Sequence, residues 1–268
     1  MTKIFIIGIV CTVGFFANST RIFASTDETP TADQIVRKAV EQSRESEKEL
    51  AESGYSFTKV TETEKFDENG RVMERKESAH EISSKSGCFS KKRLTAPGES
   101  AAQGKKLELQ ENKEPLKLGK YKASSRGDYL NILTPELIGK YVFTLVSRNN
   151  LNGRPAFELA FEPKQKNLPG KELAERVLNQ ATGKIWIDAE EFEVAKAQIR
   201  VDSEIQVGGG LLGCLKKALF VIERTRLPGG IWFDRSTKTD YEARKLTEST
   251  RVVTKSESRN FQVSPNEG

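Results

Sequence analysis

Between Gly183 and Val263 the sequence is a row of short extended segments with no helical pattern among them. Gly183–Asp188 reads Gly-Lys-Ile-Trp-Ile-Asp, and Glu190-Glu191 turns into Phe192–Val201. Glycines at 208–210 precede Ala218–Leu227, Pro228-Gly229-Gly230 punctuates, Ile231–Asp234 opens a further run, and Arg251–Val263 forms the last. β-branched and aromatic residues bounded by Gly, Pro and Asp in this way predict consecutive antiparallel strands. With a mean hydropathy of −0.54 and 30% charged residues, the chain suits a sheet with one wet face better than a parallel sheet buried on both. The fold class is therefore mainly β (α+β), built on an antiparallel meander.

The pattern inside the meander implies curvature. Ile185 and Ile187 share a face, Trp186 and Asp188 the other. In Phe192–Val201 the apolar parity changes: Phe192 and Val194 are even, whereas Ala195, Ala197, Ile199 and Val201 are odd. A bulge restores one continuous face and bends the strand. Gly208–Gly213 is a flexible apolar loop without the Lys-Ser/Thr ending of a phosphate loop. Beyond Asp234 the strands are charged or hydroxylic until Phe261, so part of the far sheet is expected to face water on both sides.

Upstream, Thr31 and Gln34 have capping-box spacing, and Ile35, Val36, Ala39 and Val40 recur at helical intervals. This helix is expected to reach about Ala51 and stop at Gly54, its apolar stripe narrowing toward Leu50 and Ala51. Tyr55–Phe66 and Arg71–Ile82 read as strands about the turn signal Asp67-Glu68-Asn69-Gly70. Ser83–Gly127 is an excursion with a strand around Phe89–Leu94, its Lys91-Lys92-Arg93 triplet read as a solvated turn. Thr134-Pro135-Glu136 begins a short helix. Tyr141–Ser147 and Ala156–Glu162 flank an Asn149–Gly153 loop, and Leu168–Ala181 carries Leu173, Val177 and Leu178 at helical spacing, as core cover or as a movable lid.

Residues 1–24 read as a signal peptide, with Lys3, an apolar run from Ile4 to Ala17 and cleavage after Ala24. The run is too short to span a bilayer, which takes about 20 apolar residues, so a secreted chain that is not an integral membrane protein after cleavage is expected. Residues 25–30 form a polar lead, 31–263 a single domain containing the 83–127 excursion, and 264–268 a tail. Removing the leader takes Lys3 and Arg21 with it and lowers the net charge from +5 to +3. Such a mild excess, interleaved with Glu and Asp, excludes nucleic acid as a partner. Cys88 and Cys214 then remain; they either pair in an oxidising compartment or lie apart as buried thiols.

Catalytic signals are missing. His80, the single histidine, sits in a polar strand, is expected to be exposed, and has no cysteine cluster near it for a metal. Carboxylates alternate with Lys and Arg as cross-strand pairs do. No catalytic residue, metal site or cofactor is assigned, and the chain is read as a non-enzyme.

Taken in order, the leader, Thr31–Val36, Gly183–Asp188 followed by Phe192–Lys196, Leu227–Asp234 (Leu-Pro-Gly-Gly-Ile-Trp-Phe-Asp) and Ser258–Phe261 resemble the LolA/LolB superfamily of outer-membrane lipoprotein carriers, in particular its larger lipoprotein-sorting relatives. The resemblance implies a curved antiparallel sheet forming an incomplete barrel, with a few helices over its open side and an apolar cavity between. It also implies a periplasmic carrier of lipid or acylated lipoprotein, binding by burial of about 0.8 kcal/mol per methylene. Ile185, Ile187, Phe192, Val194 and Trp232 from strands, with Leu173 and Val177 from a helix, are the candidate cavity residues. The alternative is a non-enzymatic interaction or structural module that binds another envelope protein through a sheet edge or through Gly208–Gly213.

Overall fold

A computed structural model describes residues 29–52, 54–85, 88–94, 133–165, 168, 170, 173–207 and 213–264. The chain divides into two compact units, Met1–Pro30 and Thr31–Gly268, and every helix and strand described belongs to the second. The signal peptide, most of the polar lead, the excursion beyond Leu94, Gly208–Leu212 and the last four residues lie outside the described residues.

Helix α1 (Ala32–Glu52) opens the unit. Strands β1 (Gly54–Phe66), β2 (Val72–Lys85) and β3 (Cys88–Leu94) follow, then α2 (Pro135–Ile138), β4 (Tyr141–Leu151), β5 (Arg154–Pro163) and α3 (Leu173–Leu178). The meander is β6 (Thr182–Asp188), β7 (Val194–Val201), β8 (Ile205–Val207), β9 (Gly213–Arg226), β10 (Trp232–Lys245) and β11 (Glu248–Ser264). All strands join one open sheet in the order β3-β2-β1-β11-β10-β9-β7-β6-β5-β4, with β8 pairing β9. Every pairing is antiparallel.

Local sequence explains most of these elements. The capping box forms: the Thr31 amide donates to Gln34 Oε1 at 2.8 Å, and the Gln34 amide to Thr31 Oγ1 at 3.3 Å. Asp67 organises the β1–β2 turn by accepting the amides of Asn69 and Arg71, each at 2.9 Å. The parity change in β7 is a bulge: Trp186 faces Lys196 whereas Ile187 faces Val194, leaving Ala195 as the extra residue. Phe192, expected to begin that strand, instead sits in the turn at φ 56°. The β4–β5 loop is shorter than expected. Asn149, Asn150 and Leu151 extend β4, and Asn152-Gly153 alone makes the turn, with φ of 53° and 86°. Two consecutive left-handed residues are what a tight hairpin whose twist matches its strands requires. Within the helix expected over Leu168–Ala181, the described helix is Leu173–Leu178, and β8 has no counterpart in the expected elements.

The sheet curves toward α1. That helix touches β4, one edge strand, and also β1 and β2 near the opposite edge. On a flat sheet, strands spaced about 4.8 Å apart would set β2 and β4 roughly 38 Å from each other. A helix of this length is only about 31 Å long. Ile35, Val36, Ala39 and Val40 of α1 are buried against β4–β9. A second cluster, Tyr55, Phe57, Phe233 and Phe261, lies elsewhere on the sheet, with Phe57 and Phe233 centroids 4.6 Å apart and Phe233 and Phe261 4.4 Å apart. His80 departs from the sequence reading: it is 5% exposed, because β1 and β3 flank it on both sides of β2, opposite Lys59 and Arg93.

Candidate functional site

Cross-strand partners point to the same side of a sheet, so the register traces one face across the molecule. Leu145, Leu159, Ile185, Ala197 and Ile222 are successive partners from β4 to β9, and the row continues as Thr237, Ser256, Thr61 and Ser78. The neighbouring row runs Phe143, Phe161, Gly183, Ile199, Phe220 and then Thr239, Thr254, Thr63. Along these two rows the face is apolar over β4–β9 and hydroxylic over β10, β11 and β1; further along β1 it carries Lys59, Phe57 and Tyr55. The hydroxyls pair across strands, Thr61 with Ser256 at 3.0 Å and Thr63 with Thr254 at 3.2 Å. The apolar half receives the stripe of α1.

A dense polar cluster ends the apolar half at the β6–β7 turn. Its acids Asp188, Glu190, Glu191 and Glu193 each meet a different cationic or hydrogen-bonding partner set. Asp188, 1% exposed, accepts from Arg154 Nε at 2.6 Å and Nη2 at 3.0 Å, and from the amides of Glu190 and Glu191. Burial pushes the Asp188 carboxyl up, yet the Arg154 bonds and the two amides outweigh it and hold it below its ordinary value. The same bonds to Asp188 raise the Arg154 guanidinium. Glu191 accepts from Arg226 Nε and, at 2.6 Å, from Trp232 Nε1. Glu193, also 1% exposed, accepts from Arg224 Nη1 at 2.7 Å, while Arg224 Nε lies 3.2 Å from Asp234. Ser46 of α1 donates to Glu193, which ties the second half of the helix to this buried pair.

Of the predicted cavity residues, Ile185 and Ile187 are wholly buried in the core beneath α1, and Val177 and Val194 pack at its margin. Phe192 stacks on Phe157 at 6.3 Å, with Lys38 Nζ of α1 4.6 Å from its ring centre. Trp232 belongs to the polar cluster, and Leu173 is 40% exposed. The structure therefore gathers five of the seven on or beside the apolar half and sets Trp232 and Leu173 apart. A shallow groove of about 580 Å³ lies on the opposite face, lined by Thr144, Thr182, Lys184, Trp186, Gln198 and Arg200 among others. None of the seven lines it. Cys214 is buried and free, and Cys88 lies on β3 with four strands between it and β9.

Sequence reasoning missed the hydroxyl rows and the arginines of the cluster. The signals were present: Thr61/Thr63, Thr237/Thr239 and Thr254/Ser256 are pairs at strand spacing, and the Ile-Trp-Ile-Asp and Ile-Trp-Phe-Asp motifs each deliver an acid to the cluster.

No known family model matches the sequence, and no curated protein matches it. Among solved structures, the chain is similar to a LolA superfamily protein from Nitrosomonas europaea (11% identity, 87% of this chain and 93% of that one, TM-score 0.31). It is also similar to a DUF1329 family protein from Desulfovibrio piger (14% identity, 90% and 96%, TM-score 0.38). A third is a putative outer membrane lipoprotein-sorting protein domain from Vibrio parahaemolyticus (11% identity, 87% and 95%, TM-score 0.35). No helix among the described residues is long and apolar enough to cross a membrane.

Proposed function

We propose that the protein is a periplasmic binding or carrier protein for lipids or acylated lipoproteins, with the acyl chain taking the place of the α1 stripe on the apolar half of the sheet. The observation that carries this reading is the register-continuous face that changes from Leu, Ile and Phe to Thr and Ser between β9 and β10. Such a face is amphipathic across its strands, as an acylated molecule is amphipathic along its length. The leader expected from residues 1–24 supplies the address.

Magnitudes decide whether the exchange is feasible. Lifting α1 uncovers Ile35, Val36, Ala39 and Val40, which costs roughly 4.5–9 kcal/mol at 1.5–3 kcal/mol for each of the three large side chains. About a dozen buried methylenes return roughly 10 kcal/mol at 0.8 kcal/mol each. A long acyl chain can displace the helix; a short one cannot. The chemistry is binding, and no residue is given a catalytic role.

The test is native mass spectrometry of the mature protein from a bacterial periplasm, followed by organic extraction, together with hydrogen exchange after adding a long-chain fatty acid. Co-purifying acylated molecules and faster exchange confined to α1 are expected. A clean mass, with α1 amides unaffected by long and short acids alike, would sink the reading.

A further inference from the structure

The groove of about 580 Å³ lies on the side of the sheet away from the face assigned to acyl chains. Its volume falls within the roughly 300–1,000 Å³ of small-molecule sites. Cross-strand pairing builds its floor, with Thr144, Ala160, Lys184 and Gln198 as successive partners from β4 to β7. Ala160 is the shortest side chain of that row and leaves the hollow. Trp186 stands two residues beyond Lys184 at one end, and Arg200 two residues beyond Gln198 at the other, opposite Thr182. Gln198 is half-buried, and among the described residues nothing bonds to its amide or to the hydroxyls of Thr144 and Thr182. An amide and a hydroxyl each both donate and accept. The charges are already matched: Lys184 Nζ lies 2.7 Å from Glu158 and Arg200 Nε 3.3 Å from Asp202, while Glu162 adds a further carboxylate.

We propose that this groove is a binding site for a neutral saccharide of one or two rings, stacked by a C–H face on Trp186 and bonded through its hydroxyls to Gln198, Thr144 and Thr182. A sugar ring combines what the groove offers: an apolar face, hydroxyls that both donate and accept, and no net charge. The electron-rich face of an indole attracts weakly positive C–H groups, and Trp186 is only half-buried, with Lys196 Nζ 5.5 Å from its ring centre. An anionic ligand fits less well. It would have to draw Lys184 or Arg200 out of an existing pair and would lie beside Glu162, whose charge opposes it. A nucleobase fits less well too, since it is flat and apolar on both faces. Trp186 is the one aromatic that the groove presents among the described residues, the neighbouring Phe161 being buried in the core on the other side. The site and the acyl face are on opposite sides of the sheet, so the two proposals stand or fall independently.

The chain has two tryptophans, so 5-fluorotryptophan labelling of the full mature chain gives two fluorine resonances, which Trp186→Phe assigns. The probes are cellobiose and N,N′-diacetylchitobiose, with glucose 6-phosphate and adenosine as the charged and flat comparators. At least one disaccharide is expected to shift the Trp186 resonance saturably, leaving that of Trp232, whose indole is held by Glu191, in place. Gln198→Ala is expected to weaken this binding by about tenfold. Ala160→Leu, which fills the hollow, is expected to abolish it, and neither change should move the thermal midpoint. No shift with either disaccharide, equal shifts at both tryptophans, a comparator that binds as tightly, or undiminished binding in both variants would each overturn the proposal.

Discussion

Arg224 is the residue whose removal most directly tests how the polar cluster is held. Its guanidinium is 6% exposed and faces two carboxylates, Glu193 at 2.7 Å and Asp234 at 3.2 Å, while Nη2 and Nη1 also reach the Trp232 and Val194 carbonyls at 3.1 Å. Replacing it with Met keeps the volume and leaves both acids without their cation. Glu193 retains only the Ser46 hydroxyl among its observed partners. Breaking a buried pair from one side costs about 3–5 kcal/mol, because the remaining charge is desolvated without compensation. With a urea dependence of about 2 kcal/mol per M, Arg224→Met should lower the unfolding midpoint by roughly 2 M, read from intrinsic tryptophan fluorescence. The double variant Arg224→Met, Glu193→Met should recover much of that loss, since well-packed apolar replacements of a buried pair are often neutral. A loss under about 1 kcal/mol, or no recovery in the double variant, would refute the argument that the cluster is held by charge compensation.

Two further perturbations probe the same region. Asp188 is depressed in the folded state, so its contribution is full above its unfolded value near 3.8 and is lost as pH falls through the lower folded value; Asp188→Asn should flatten that acid limb and cost about 2 kcal/mol at neutral pH, measured by thermal melts across pH, with an unchanged acid limb counting against the clamp. Gly183→Ala would drive a Cβ into the Gln198 carbonyl oxygen on the adjacent strand, so β6 and β7 must separate; a loss of about 3 kcal/mol or more is expected in urea titration, and a loss near zero would show that the strand pair is looser than its register implies.

How much of this was legible depends on the range of each signal. The capping box at Thr31 and Gln34, the bulge near Val194 and Ala195, and the strand character of Val194–Val201 and Ala218–Arg226 depend on neighbouring residues, so the sequence shows them directly. The β4–β5 turn is shorter than the loop expected because Asn149-Asn150 carries the same turn propensity as Asn152-Gly153, and only pairing with β5 decides between them. Phe192 was read as a strand residue because an aromatic at φ 56° contradicts local preference; its place is set by Phe157 and by Lys38 of α1. His80 was expected in water because its own strand is polar on both sides, and flanking strands are invisible to a local pattern. The face as a whole was not legible at all. Each of its rows draws one residue from each of eight or nine strands, and the register that aligns Ile222 with Thr237 is a property of the sheet.

The two halves of α1 explain why the buried charges sit where they do. Its first three turns bind the sheet through Ile35, Val36, Ala39 and Val40, a contact without direction that an acyl chain reproduces equally well. Its later turns meet the sheet through Ser46 on Glu193, a directional contact that an acyl chain cannot reproduce. On the proposed carrier function, the helix would stay tethered at one end while the other is displaced. The rigid side of that tether has to be fixed independently of the helix. Arg224, Asp234 and the Val194 and Trp232 carbonyls do this for Glu193 whether or not Ser46 is present. An apolar patch in the same place would have been better for stability alone, since buried ion pairs rarely exceed their hydrophobic replacements. It would also have left nothing to distinguish one end of the helix from the other.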